Sequence, residues 1–158
     1  MNASIEFVLN KACLEQIAEH LVRCDTDFMP PLSGRVEIVN YAEKIANYAM
    51  RFEAWSEGTL IGLVAAYCND QRKRIAHITS VSVLNAWTGK GIAAHLVRSC
   101  ITHLKALGMR QVSLEVASAN TVAIRLYEKS GFVVDQAKGV FVTMKLDLEN
   151  VELYGHEA

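Results

Sequence analysis

Two glycines, a glutamate, an asparagine and a tyrosine between Thr79 and Phe132 have the types and spacing of working residues. Gly89 and Gly91 sit in the turn Thr88-Gly89-Lys90-Gly91-Ile92-Ala93. Before it, Val81, Val83 and Leu84 read as an extended segment; after it, Ile92, Leu96, Cys100, Ile101 and Leu104 recur at helical spacing. A turn feeding a helix leaves unpaired N–H groups at the positive end of the helix dipole, which is a site for an anion. Glycine lets a phosphate approach that backbone closely. Further on, Asn120, Ala123 and Tyr127 stand at i, i+3 and i+7, on one face of a short helix. A small residue between two polar ones suits a slender ligand lying along the face. Glu115 alternates with Leu114 and Val116 and so projects from the opposite side of its strand.

Three phosphate-binding patterns compete for the glycine turn. A P-loop requires glycine where Leu84 stands, and is excluded. The looser dinucleotide fingerprint is met by Gly89, Gly91 and Ala94, but a dinucleotide domain opens on that loop. Here strand signals precede it. The third pattern is the pyrophosphate loop for coenzyme A, and the order of later residues favours it: Leu114-Glu115-Val116, then Asn120, Ala123 and Leu126-Tyr127, then Ser130-Gly131-Phe132. In this order they resemble the GNAT superfamily of acyl-CoA-dependent N-acetyltransferases. The resemblance covers roughly the C-terminal half of the chain. Thr88 departs from it, standing where the family usually has Arg or Gln.

The resemblance implies a set of roles. Acetyl-CoA is the cosubstrate, its pyrophosphate held by backbone amides of Gly89, Lys90, Gly91, Ile92, Ala93 and Ala94, with the Thr88 hydroxyl in place of the family's usual side chain. Lys90 either adds a point charge or faces solvent. The edge of the strand at Val81, Ser82 and Val83, splayed from its neighbour, takes the pantetheine arm and polarises the thioester carbonyl as an oxyanion hole does. Asn120 and Ala123 line the coenzyme, and Asn120 caps its helix as well or instead. Tyr127 gives its phenolic proton to the departing thiolate. Glu115 is the leading candidate for the base; Glu53, Asp27 or a chain of waters are the alternatives.

The elements that must position these residues follow from periodicity. Ile5 to Leu9 reads as a strand, Asn10 as an N-cap, and Leu14, Ile17, Ala18, Leu21 and Val22 as one helical stripe. Cys24 to Arg35 has no periodicity and contains Pro30 and Pro31; it is either a plain connector or a loop over the acceptor, with Asp27 and Phe28 as acceptor-binding candidates. Ala42, Ile45, Ala46, Ala49 and Met50 give a second helix. Phe52–Trp55 and Leu60–Tyr67 are strands joined at Glu57-Gly58, and the basic turn Arg72-Lys73-Arg74 leads into the strand from Ile75 to Leu84. The sum is an α/β (α+β) fold: a mixed sheet, antiparallel first, with one parallel crossover through the long helix.

Composition agrees with this. The chain has 158 residues, half of them hydrophobic, which is one domain able to bury a core. Residues 1–148 are expected to form that domain and 149–158 a polar, frayed tail. A formal charge of −1 argues against nucleic acid as a partner. Four cysteines without Cys-x-x-Cys spacing and five histidines without ligand spacing imply reduced thiols and no metal site. No apolar run is long enough to span a bilayer, so a cytoplasmic protein without membrane contact is expected. The function expected is an acyltransferase moving acetyl from acetyl-CoA to a primary amine by direct attack in a ternary complex. The acceptor is expected to be a small molecule such as an amino sugar. A protein N-terminal acetyltransferase and a non-catalytic acyl-CoA-binding module are the alternatives, and homodimerisation is left open.

Overall fold

Glu57 and Gly58 both take positive φ, 48° and 79°, and so close the hairpin from which the sheet is built. The hairpin joins β2 (Ala49–Ser56) to β3 (Thr59–Tyr67). β1 (Glu6–Leu9) pairs with the outer edge of β2, and β4 (Ile75–Val83) with the far edge of β3, all antiparallel. Helix α3 (Ile92–Ala106) then crosses over to β5 (Gln111–Ala117), which runs parallel to β4. After α4 (Thr121–Lys129), the hairpin β6 (Val133–Lys138) and β7 (Phe141–Asp147) completes a seven-stranded sheet of order β1-β2-β3-β4-β5-β7-β6. This computed structural model describes residues 4–151. No helix among them is long and apolar enough to cross a membrane.

Both faces of the sheet are covered, which is why Leu60 to Ala66 is an unbroken apolar run rather than an alternating one. Leu63 and Ala65 pack under α1 (Leu14–Cys24) and α2 (Ile38–Tyr48), with Ile17, Leu21, Ala42 and Ile45. Val64 and Ala66 face the other way, into a core with Leu96, Val97, Leu104, Leu114 and Met144.

Two irregularities in β4 decide which way its side chains point and where the sheet opens. Ser82 pairs with Leu63 and Ser80 with Ala65, but Ile78 pairs with Ala66, so Thr79 is an extra residue, a β-bulge. Ala76 and Ile78 therefore lie on the α3 face, while Ser80 and Ser82 lie on the α1/α2 face. The Tyr41 hydroxyl donates to the Thr79 carbonyl at 2.7 Å, giving the bulge a partner that the ladder does not. The second irregularity is that β4 and β5 pair only from Ile75/Gln111 to His77/Ser113. Beyond that rung they diverge.

Several sequence expectations are corrected. α2 ends at Tyr48, and Ala49 and Met50 already belong to β2. Asn10 is not an N-cap: its φ is 58°, and its side chain takes the Arg51 N–H at 2.7 Å. The N-cap is Cys13, whose N–H donates to Gln16 Oε1 at 2.9 Å. On α1 the buried face includes His20 and Cys24, whereas Val22 is exposed. The start of the expected tail is ordered: Leu148 is buried, and Lys105 Nζ donates to the Leu148 carbonyl at 2.7 Å. The rest of that tail, 152–158, lies outside the described residues.

Candidate active site

The parting of β4 and β5 opens a cleft of about 490 Å³ through the sheet. On the α3 side it is bounded by Val81, Val83, the turn from Thr88 to Ala94, and the α4 face carrying Asn120, Ala123 and Tyr127. On the α1/α2 side it is bounded by Asp27, Phe28, Met29, Arg35, Thr79, Glu115 and Phe141. Of the site residues read from the sequence, the structure brings all to the cleft except Lys90 and the alternative base Glu53, which do not line it. The basic turn at 72–74 sits at the opposite end of β4; Arg74 donates there to the Gly108 carbonyl at 3.3 Å.

The glycine turn has the features an anion requires. Gly89 and Gly91 have φ of 78° and 79°, a conformation costly for a residue with a side chain. A Cβ at either would have nothing within 4 Å, so open space lies above the backbone. Gly91 is the N-cap of α3 and offers no capping side chain, which leaves the N–H groups of Ile92, Ala93 and Ala94 without an intrahelical acceptor. Thr88 is less helpful than its hydroxyl suggests. Its Oγ1 donates to the Asn85 carbonyl at 2.8 Å, so its proton is already engaged.

On α4, Asn120 Oδ1 accepts the Ala123 N–H at 3.1 Å, so Asn120 is the N-cap, and it lines the cleft as well. Its amide group remains for a ligand. Tyr127 is buried, with its ring edge-on to Phe132 at 5.9 Å. Burial pushes its phenol up to about 12, so it holds its proton at neutral pH.

Glu115 is exposed and lies opposite Thr143 of β7, on the sheet face away from Tyr127. Glu53, the alternative base, is fully buried outside the cleft. Its carboxylate accepts the Lys11 and Ala12 N–H groups at 3.1 Å, Trp55 Nε1 at 2.9 Å and Arg51 Nε at 3.2 Å. Those oxygens hold the start of α1 against β2, and Glu53 is structural.

The connector from Cys24 to Arg35 is folded rather than loose. Asp25 accepts the Ser33 N–H at 2.7 Å, which keeps its carboxyl below the usual range. This places Asp27, Phe28 and Met29 at the cleft, and carries the Arg35 guanidinium to 5.6 Å from the Phe141 ring centroid. Sequence reading missed Arg35, Phe141 and Trp87, all of which line the cleft. Arg35 and Phe141 have no local signal, since each reaches the site from an element distant in sequence, whereas Trp87 directly precedes the glycine turn.

A mixed sheet split at one parallel pair, with a glycine turn at the head of the crossover helix, defines an acyl-coenzyme-binding fold. The acetyltransferase (GNAT) family model matches residues 14–132, and the chain belongs to that family. Members take acetyl-CoA as cosubstrate, and the open glycine turn with its orphan amides fits that group. The chain is 31% identical over 87 residues to a mycothiol acetyltransferase of Corynebacterium glutamicum, covering 55% of this chain but only 29% of that protein. It thus spans under a third of that relative's length. Among solved structures it is similar to the PaiA N-acetyltransferase of Thermoplasma acidophilum in complex with coenzyme A, with a TM-score of 0.72 and 22% identity over 91% of this chain and 99% of the other. It is also similar to the ribosomal-protein-S18-alanine N-acetyltransferase of Escherichia coli, with a TM-score of 0.73 and 17% identity over 94% and 99% of the two chains.

Proposed function

We propose that this protein transfers the acetyl group of acetyl-CoA to a primary amine by direct attack within a ternary complex. The observation that carries this reading is the split at His77/Ser113, because it joins two differently equipped faces through one opening. On the α3 face, the amides of 89–94 hold the pyrophosphate, individually weak and strong together. The unpaired edge of β4 at Val81–Val83 receives the arm and polarises the carbonyl. The thioester supplies an activated acyl group with a good leaving sulfur.

The protons are handled on opposite faces. Glu115 takes a proton from the amine on the acceptor side. Tyr127 faces the departing sulfur on the coenzyme side. A phenol near 12 is a weaker acid than a thiol, whose usual value is about 8.5, so full transfer from Tyr127 is uphill. Its main contribution is then a hydrogen bond to the sulfur as negative charge grows there. The coenzyme leaves as a thiolate, and the proton that Glu115 took from the amine returns to it through solvent.

The acceptor is a compact amine, such as an amino sugar or another small metabolite. Arg35 and Phe141 line the acceptor side and meet there, guanidinium 5.6 Å from ring centroid, which supports a short substrate over an extended chain. Two measurements test the reading. Acetyl-CoA should stabilise the protein by about 2.7 kcal/mol at a hundredfold excess over Kd, and NADH should not. Glucosamine, spermidine and a peptide beginning with alanine should then be offered with acetyl-CoA. Acetylation of the peptide alone would replace the small acceptor by a protein N-terminus. Binding without transfer to any amine would favour a coenzyme-sensing module.

A further inference from the structure

His20 is a buried histidine that none of the roles above uses. It is 2% exposed on the sheet-facing side of α1. Its Nδ1 lies 2.9 Å from the Leu60 carbonyl and its Nε2 lies 2.9 Å from Ser82 Oγ. A carbonyl can only accept, so Nδ1 carries the hydrogen. The ring is neutral, since burial with no carboxylate partner among the described residues draws it down to about 4. Nε2 is therefore bare, and it must accept. The Ser82 hydroxyl donates to it, and the Cys24 thiol, 3.7 Å away, is the weaker second donor.

This arrangement fixes more than a packing contact. A serine hydroxyl has one hydrogen and two lone pairs, and here the hydrogen is committed to the protein interior. Ser82 lines the cleft, and toward a group there its hydroxyl has only lone pairs to offer. Because the bulge at Thr79 turns Ser82 to the α1/α2 face, its side chain lies on the acceptor side of the sheet, while its backbone belongs to the edge of β4 that parts from β5. A hydroxyl already donating to a good acceptor is also a better acceptor itself.

We propose that His20 is a positioning residue for acetyl transfer: it locks Ser82 as a hydrogen-bond acceptor, and Ser82 Oγ takes an N–H of the incoming amine and turns its lone pair toward the thioester. The proposal rests on the reading of the cleft as an acetyl-transfer site. His20 itself gains and loses no proton. A free serine rotor could donate to the amine nitrogen instead and tie up the lone pair needed for attack; the His20 contact removes that option.

The test uses hydroxylamine as acceptor, a primary amine nucleophile largely uncharged at pH 7 and small enough to enter the cleft whatever the natural substrate. Ser82→Ala and His20→Leu should each raise the KM for hydroxylamine about tenfold, the worth of one hydrogen bond, with the KM for acetyl-CoA held within twofold. The double variant should be no worse than the worse single one, because both remove the same contact. His20→Gln, whose amide oxygen can accept from Ser82, should recover much of the loss. Long-range ¹H–¹⁵N spectra of the intact protein should show His20 as the Nδ1–H tautomer, a readout that stands even if His20→Leu does not fold. Equal shifts in both KM values, multiplying effects in the double variant, or a protonated Nε2 would each overturn the proposal. Transfer by wild type with the KM for hydroxylamine unmoved in Ser82→Ala would overturn it alone. No transfer to hydroxylamine by wild type would remove the transferase reading along with it.

Discussion

His77 and Ser113 face each other in the last rung that β4 and β5 share, with Nδ1 and Oγ 3.2 Å apart. Past this rung both strands continue, β4 to Val83 and β5 to Ala117, without pairing to each other. Their backbone groups in the gap need partners from somewhere, since buried N–H and C=O groups are rarely left unmade. In the proposed reading, a ligand with amides along its length supplies them, and the rung marks where the sheet stops being scaffold and becomes a receptor.

Gly62 should set the seat of the coenzyme-facing helix. A Cβ there would lie 2.9 Å from Ile92 Cγ2 and 3.2 Å from Leu96 Cδ1, at the first turns of α3. Gly62→Val should displace that end of the helix, at a cost of about 1–3 kcal/mol for overpacking. Acetyl-CoA affinity should fall with it, and calorimetric titration beside a melting curve measures both. A variant that is destabilised yet binds acetyl-CoA with the wild-type Kd would place the anion site elsewhere.

Thr88→Arg should tighten acetyl-CoA binding several-fold. The native hydroxyl is spent on Asn85 and offers the pyrophosphate no hydrogen, whereas a guanidinium brings charge and several donors. The gain should shrink as salt rises, because the new contact is an exposed ion pair. Affinity measured across a salt series checks it; a gain that salt does not touch would have another origin.

Tyr127→Phe keeps the ring and its edge-on contact with Phe132, so acetyl-CoA affinity should change little. Loss of the phenolic hydrogen should slow single-turnover transfer by about 10²–10⁴ if it assists the leaving sulfur. Single-turnover rates are the proper measure, since product release can mask a chemical defect in kcat. Unchanged rates would take Tyr127 out of the mechanism.

Stability should fall on mild acidification because of His20. The unfolded chain takes up its proton near 6.5 and the folded chain only near 4. Between those values the unfolded state binds more protons, so stability is full above about 6.5 and is lost as pH falls toward 4. The separation corresponds to about 3 kcal/mol. His77 and His95, also lowered by burial, act in the same direction. Denaturant titrations of wild type and His20→Gln at pH 7 and pH 4.5 isolate this group; parallel losses in the two would show that His20 is not responsible.

Glu53→Ala should cost about 3–5 kcal/mol, as breaking a buried pair does, because it strands the Arg51 guanidinium and the N–H groups at the start of α1. Transfer per folded molecule should hold. A catalytic defect exceeding the folded fraction would make Glu53 a candidate base again.

The parts of this site that are legible in sequence are those written within one local segment. The glycine turn and the face of Asn120, Ala123 and Tyr127 each need only a few consecutive residues, and helix geometry does the rest. Features that depend on distant partners are not legible. Nothing near Glu53 announces that the donors to its carboxylate come from Lys11 and Ala12. Ala49 and Met50 fit a helical stripe and a buried strand equally well, so periodicity alone makes α2 too long. His20 lies on α1 between positions that carry the apolar stripe, and only the fold shows that Ser82, 62 residues on, waits beneath it.

The extra residue at Thr79 works as a parity switch. On its N-terminal side even-numbered positions, Ala76 and Ile78, face the α3 core; on its C-terminal side even-numbered positions, Ser80 and Ser82, face the other layer. Side chains in a strand have only two directions, so one surplus residue exchanges them all. Drawing Thr79 into the ladder as an ordinary rung would drive Ser80 and Ser82 into the apolar core. Deleting it would turn nothing over, because Ile78 and Ser80 would become neighbours on opposite faces, as their partners Ala66 and Ala65 already are. The Tyr41 hydroxyl would lose its acceptor, and little else would change. β4 can therefore shorten by one residue at this point and keep its faces, whereas one residue added to it demands a second bulge.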